Sequence, residues 1–174
     1  MNEATPDRAS GERLSEWVRQ HGRAVRGYVL GMVRNEDAAD DVTQDVFRRA
    51  WQARDSYRDE GRPRAYLLKI ADRLALDYLR RLGREVNLDE ESWGQWEPAT
   101  AEAAPEAALG LAERAGEVRQ ALERLSPLQK RVLLLRFYGQ MEFVEIAATL
   151  GCPLNTALSH CHRGLLALRK FLAD

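Results

Sequence analysis

Residues 126–172 read SPLQKRVLLLRFYGQMEFVEIAATLGCPLNTALSHCHRGLLALRKFL, a stretch that spells three helices with a tight turn before the last. Ser126 is a helix cap, Pro127 suits a first helical position, and Gln129 completes a capping box. Leu128, Val132 and Leu135 then share one helical face. Phe143, Ile146, Ala147 and Leu150 line a second, short helix at offsets of three, four and seven. Gly151 stands where a left-handed helix end is needed, and Cys152-Pro153 makes the turn. Residues 154–172 form the third helix, with Ala157, Cys161, Gly164 and Leu168 inward. Asn155, Thr156, Ser159, His162, Arg163 and Lys170 fall outward. This is a helix-turn-helix pattern, and its last helix fits a DNA major groove. The same shape serves protein contacts, so a packing module with no DNA partner has the same pattern.

Upstream the chain is helical too. Leu14, Trp17, Val18, His21, Val25, Tyr28, Val29 and Met32 recur at spacings of three and four. Ala39, Val42, Val46 and Ala50 make a second stripe, flanked by Phe47 and Trp51. After a polar loop, 54–64, a third helix opens near Pro63 and turns Leu67, Ile70, Ala71, Leu74 and Tyr78 inward. Lys69, Arg73, Arg80 and Arg84 cluster on its opposite side, an arrangement that suits a phosphate backbone through counterion release. Asp72 and Asp77 lie near that stripe and weaken it, and an ordinary solvated face has the same pattern. The second helix carries the other sign, with Asp37, Asp40, Asp41, Gln44 and Asp45 along its exposed side. Asp near a helix start needs no functional reason, because the macrodipole favours it. Asp41 and Asp45 lie further in, where Asp is a poor helix former, which points to a surface for a basic protein partner, although a solvated face has the same pattern.

Across the 174 residues the net charge is −1, but it is unevenly divided. Residues 12–84 carry 16 basic and 12 acidic side chains, residues 85–116 one and eight, and residues 117–174 eight and five. Two mildly basic domains, 12–84 and 117–174, are thus joined by an acidic linker, 85–116, with too few apolar residues to offset its ordering entropy. Trp93 and Trp96 within it are candidates to dock on a neighbouring domain. No apolar run is long enough to cross a bilayer and no signal core follows Met1, so the cytoplasm is the expected compartment. Cys152 and Cys161, the two cysteines, suggest no disulfide framework. With His160 and His162 they lack metal-ligand spacing, so no metal or cofactor is expected. No nucleophile–base set can be assembled, and the chain is not read as an enzyme.

The run 37–47, DAADDVTQDVF, closely resembles the Asp-Ala-Glu-Asp-x-x-Gln-Glu-x-Phe motif of bacterial extracytoplasmic-function (ECF) sigma factors. Residues 65–81, AYLLKIADRLALDYLRR, resemble that group's second signature, Trp-Leu-x-x-Ile-Ala-x-Asn-x-x-x-Asp-x-x-Arg. The C-terminal unit is similar to the family's region 4, through Leu125-Ser126-Pro127, Val132 to Arg136, Glu145-Ile146-Ala147, and Thr156, Ser159 and Arg163. The resemblance implies an all-α fold of two small domains, a region 2 helical bundle and a region 4 helix-turn-helix. It implies a sigma factor that binds core RNA polymerase and directs promoter recognition and DNA melting.

Carried over, Asp37, Asp40, Asp41, Gln44, Asp45 and Phe47 would face the coiled coil of the polymerase β′ subunit or support that surface. The loop 56–64 and third helix, through Arg62, Arg64, Lys69, Arg73, Arg80 and Arg81, would capture melted minus-ten bases. Asn155, Thr156, Ser159, His160 and Arg163 would enter the minus-thirty-five major groove. Implied partners are core polymerase (β′ coiled coil and β flap), promoter DNA and an anti-sigma factor, with no membrane insertion. Departures from the family pattern are Ala39 for Glu, Tyr66 for Trp, Arg73 for Asn, Leu158 for Lys or Arg, and His160 for Arg. Losing two recognition-helix cations predicts weaker or altered minus-thirty-five reading, at about 1–3 kcal/mol for a good base-reading pair. A sigma-like decoy that binds an anti-sigma factor or polymerase without directing promoters is the other function this pattern allows.

Overall fold

Every regular element among the described residues (6–58, 61–83 and 111–173) of the computed structural model is helical. Helices α1 (Pro6–Val33), α2 (Glu36–Gln52) and α3 (Pro63–Arg81) pack on one another. Asn35 starts α2 by accepting the Ala38 N–H on its side-chain oxygen at 2.8 Å, a cap worth about 1 kcal/mol. Val25, Tyr28 and Val29 of α1, Ala39 and Val46 of α2, and Leu67, Leu68, Ala71 and Ala75 of α3 are sealed from solvent. Each large aliphatic side chain among them contributes roughly 1.5–3 kcal/mol by leaving water. Val18 breaks the expected stripe: it is 46% exposed. Trp17 and His21 beside it are buried at 7% each, so Val18 lies at the edge of the covered arc of α1 and not beyond its end.

The C-terminal half contains α4 (Leu111–Glu123), α5 (Pro127–Phe137), α6 (Phe143–Leu150) and α7 (Leu154–Ala173), with α7 packed on the other three. The expected capping box is present: Ser126 Oγ accepts from the Gln129 N–H at 3.3 Å, and Gln129 Oε1 accepts from the Ser126 N–H at 3.2 Å. Gly151 ends α6 at φ 66°, and the Cys152 N–H returns to the Ala147 carbonyl at 3.0 Å. Helix α4 begins within the stretch read as acidic linker. Most of that stretch, with Arg84, Trp93 and Trp96, lies outside the described residues.

The two halves dock, with α5 lying on α1 and α6 on α3. Gly27 and Gly31, one turn apart on α1, open the groove for α5. A Cβ on Gly31 would stand 2.7 Å from Leu134 Cδ2, and one on Gly27 would stand 2.8 Å from Tyr138 Cδ1. A mid-helix Gly costs about 1 kcal/mol relative to Ala, and close helix approach is what that cost permits here. Beside the groove, Asp72 of α3 accepts two hydrogen bonds from Arg131 of α5, Nε to Oδ1 at 2.9 Å and Nη2 to Oδ2 at 2.6 Å. Tyr28 of α1 donates its hydroxyl to Asp72 Oδ1 at 2.6 Å. The Arg131 and Asp72 side chains are only 7% and 4% exposed. Asp72 is therefore a buried tie between the halves, correcting the reading that placed it beside the surface cations.

Burial, reinforced by the Asp72 charge, pushes the Tyr28 hydroxyl well above the usual phenol range. Desolvation opposes the Arg131 charge, yet the hydrogen bond and charge of Asp72 hold it above its ordinary value. Smaller links ring the contact: Arg64 Nη1 donates to Gln140 Oε1 at 2.8 Å, and Arg34 meets Glu123 at 3.0 Å.

Candidate polymerase and nucleic-acid interfaces

Helix α2 turns its apolar stripe into the core, so its carboxylates point away. Asp37, Asp40, Asp41 and Gln44 are exposed, and Asp45 is half-exposed. They are not equivalent. Asp40 is bound by Arg26 of α1 at 2.6 Å, and that hydrogen bond holds its carboxyl below the usual range. Asp45 meets Arg48 one turn on at 3.0 Å. Phe47 is buried at 8% exposure, so it supports this face from beneath and does not line it. The physical reason is position: Phe47 adjoins Val46 on the arc that packs against the core.

A second face forms around the start of α3. Arg62, Lys69, Arg73, Arg80 and Arg81 are exposed, while Arg64 is half-buried. Arg80 shares its charge with Asp77 at 3.2 Å. A crevice of about 480 Å³ opens here, lined on one side by Tyr57, Arg58, Arg62, Tyr66 and Lys69. Its opposite wall is α6, through Glu145, Ala148 and Thr149, with Glu145 3.9 Å from Arg62. Tyr57 and Tyr66 lie 4.5 Å apart between ring centroids, and the Trp17 ring stands edge-on to Tyr57 at 5.0 Å. Aromatic faces beside cations suit stacked bases of a single strand. Sequence reasoning did not single out Tyr57 or Tyr66 for this role. The signal for Tyr57 was its place in the loop and for Tyr66 its place in the second signature, and the contact of the two rings is tertiary.

Helix α7 corrects two residues. Ser159 is 9% exposed and His160 6%, so neither points outward for DNA. Because α7 is gripped by α4, α5 and α6, its buried arc is wider than one stripe, and His160 sits one turn beyond Ala157 on it. Ser159 Oγ accepts from Arg163 Nη2 at 3.4 Å. Asn155 and Arg163 remain exposed, with Thr156, Leu158 and His162 intermediate. Burial pushes the Cys152 and Cys161 thiols above their ordinary range, which disfavours the reactive thiolate.

The described residues thus combine an acidic helix, a basic aromatic crevice and a helix-turn-helix, an arrangement that suits protein and nucleic-acid partners. Residues 17–85 match the family model of sigma-70 region 2, and residues 115–168 match that of sigma-70 region 4. The ECF RNA polymerase sigma factor SigE of Mycolicibacterium smegmatis is 30% identical over 171 residues, covering 98% of this chain and 66% of that protein. The ECF RNA polymerase sigma factor SigW of Bacillus subtilis is 29% identical over 149 residues, covering 82% and 80%.

Two solved structures share the fold. The sigma factor RpoE of Bartonella quintana, in complex with the anti-sigma factor NepR, superposes with a TM-score of 0.72 at 23% identity, covering 93% of this chain and 98% of that one. CnrH, in complex with the cytosolic domain of CnrY, gives 0.66 at 24%, covering 94% and 89%. The chain belongs to the ECF sigma factors, a family whose members bind core RNA polymerase and direct promoter recognition and melting at initiation. Sigma factors as a class are not enzymes. No helix among the described residues is long and apolar enough to cross a membrane.

Proposed function

We propose that the exposed carboxylates of α2 dock on core polymerase, while the crevice at α3 takes up the melted minus-ten strand. The observation that carries this reading is that one three-helix unit bears both faces: exposed Asp37, Asp41 and Gln44 on α2, and Arg62, Lys69 and Arg73 with paired tyrosines around α3. A partner surface rich in Lys and Arg would be steered to the first. Phosphates and unstacked bases would be held by the second. The domains are read as 12–84 and 117–174, joined by the stretch between. Asn155, Thr156 and Arg163 of α7 would contact the minus-thirty-five duplex, and Leu158 in place of a cation makes that contact weaker than a more basic helix would. The protein acts by binding alone, in the cytoplasm, with core polymerase and promoter DNA as partners and an anti-sigma factor as its regulator.

Transcription reconstituted from core polymerase, the full chain and genomic DNA tests the reading. Mapped 5′ ends should fall at a small set of discrete sites that disappear when the chain is omitted. Tight core binding without discrete start sites would make the protein a decoy, and no core binding would remove the sigma-factor activity itself.

A further inference from the structure

Helix α7 packs on α4, α5 and α6 and leaves an outer arc open. At about 100° per residue, Asn155, Leu158 and His162 fall within about 60° of one another, turned away from the buried Ala157, Cys161 and Gly164. Asn155 is exposed, and Leu158 and His162 are intermediate. Leu154, one turn before Leu158, is 41% exposed, and Leu165 is 43% exposed. Apolar side chains on this side of the helix therefore stand in water.

Charge says what such a surface can meet. Residues Leu154–Ala173 include no Asp or Glu, and Arg163, Arg169 and Lys170 are exposed along the helix. That balance suits a polyanion, and the last helix of a helix-turn-helix touches base edges with its N-terminal turns. A cation at position 158 would reach a phosphate, or the O6 and N7 of guanine; Leu158 can bond neither. The one apolar group that base edges offer in the major groove is the C5 methyl of thymine. Asn155, three residues earlier and so a neighbour on the helix surface, carries the amide that pairs bidentately with adenine N6 and N7. Three residues rise about 4.5 Å against about 3.4 Å per base pair, which sets the two contacts one or two pairs apart.

We propose that Leu158 is a specificity-determining residue: with Asn155 it makes α7 read an adenine and, one or two pairs away, the methyl group of a thymine. The inference rests on the placement of α7 on the minus-thirty-five duplex. Losing a cation lowers affinity for every sequence alike, whereas a methyl contact favours one base. Cytosine at the contacted position lacks the methyl and sets its amino group against an apolar side chain, leaving that donor unpaired. The departure at 158 thus replaces reading by charge with reading by shape.

The test uses holoenzyme assembled from core polymerase and the full chain. Promoters randomised across the upstream element locate the A·T pairs that transcription requires. Single thymines there are then replaced by deoxyuridine, which lacks only the methyl, and single adenines by 7-deazaadenine, which lacks N7. Wild type is expected to lose about fourfold in binding and transcription at the contacted thymine, the worth of one methyl group leaving water. Leu158→Ala should work equally well on thymine and uracil templates, and Asn155→Ala should lose sensitivity to 7-deazaadenine alone. Circular dichroism checks the helicity of both. The uracil comparison with wild type needs no variant, so it decides the matter even if Leu158→Ala misfolds. Equal output from thymine and uracil templates by wild type at every upstream position overturns the proposal. So does a uracil effect that survives in Leu158→Ala, or a loss in that variant that is the same on both templates, which would assign Leu158 to a protein contact or to the fold. If holoenzyme starts no transcripts on any template, the sigma-factor activity falls and the base assignment falls with it.

Discussion

Replacing Arg131 with Met strands the Asp72 carboxylate, 4% exposed, with the Tyr28 hydroxyl as its one remaining partner of the three-residue tie. Breaking a buried pair from one side costs about 3–5 kcal/mol, because the surviving charge keeps its desolvation penalty and loses its compensation. For a chain of this size that is roughly 6–20 °C in melting temperature, at about 2–4 °C per kcal/mol. Undocking of the halves hydrates Asp72 and caps the loss at the docking free energy. The expected calorimetric trace is therefore a lowered first transition, with separate melting of the halves if the cap is reached. The triple variant Tyr28→Phe, Asp72→Leu, Arg131→Met removes all three polar groups from the same pocket. Apolar replacement of a whole buried pair is often neutral or stabilising by about 1–4 kcal/mol, so the triple should equal or exceed wild type. Urea titrations by circular dichroism would measure both. An Arg131→Met variant within about 0.5 kcal/mol of wild type, or a triple as unstable as its component losses summed, would refute the account of a buried, mutually compensating tie.

Reversing Asp41 and Asp45 to Lys should weaken core-polymerase binding by about 2–5 kcal/mol, the range for disrupting a close interfacial charge pair. Stability should move by no more than about 1 kcal/mol, since Asp41 is exposed and the Asp45–Arg48 pair is a surface one; anisotropy and thermal melts separate the two effects. Leu158→Lys should steepen the salt dependence of duplex binding by about 0.9, one phosphate's worth, whereas His160→Arg should lower the melting temperature by forcing a guanidinium into a buried position. His21 is buried, and burial, aided by Arg64, lowers its pKa. The unfolded chain then takes up a proton near the ordinary imidazole value of about 6.5, while the folded chain does so only at lower pH. Stability is complete above about 6.5 and declines as pH falls through the window beneath it. His21→Leu should flatten that decline in denaturation curves taken between pH 7 and 5.

Much of the molecule was legible because it is written in local patterns. The Ser126–Gln129 capping box, the left-handed Gly151, Pro63 at the head of α3 and the inward stripes of α2 and α3 each follow from spacing and backbone preference, which neighbouring residues settle among themselves. The exposed acids of α2 were legible for the same reason, as the complement of a clear apolar stripe. What periodicity does not encode is what lies across from a helix. Val18 belongs to the stripe of α1 by spacing but has no neighbour to cover it, and His160 and Ser159 are buried because three helices grip α7. Asp72 reads as one more surface charge among arginines, and only the arrival of Arg131, 59 residues away in sequence, turns it into a buried tie. Gly27 and Gly31 look like weak points in a helix until α5 is laid against them. Sequence alone determined six of the seven described helices, the caps at Ser126 and Gly151 and the signs of the two charged faces. The tertiary structure decided which charges remain on the surface and revealed α4 packed on α7, because burial and pairing depend on contacts far along the chain.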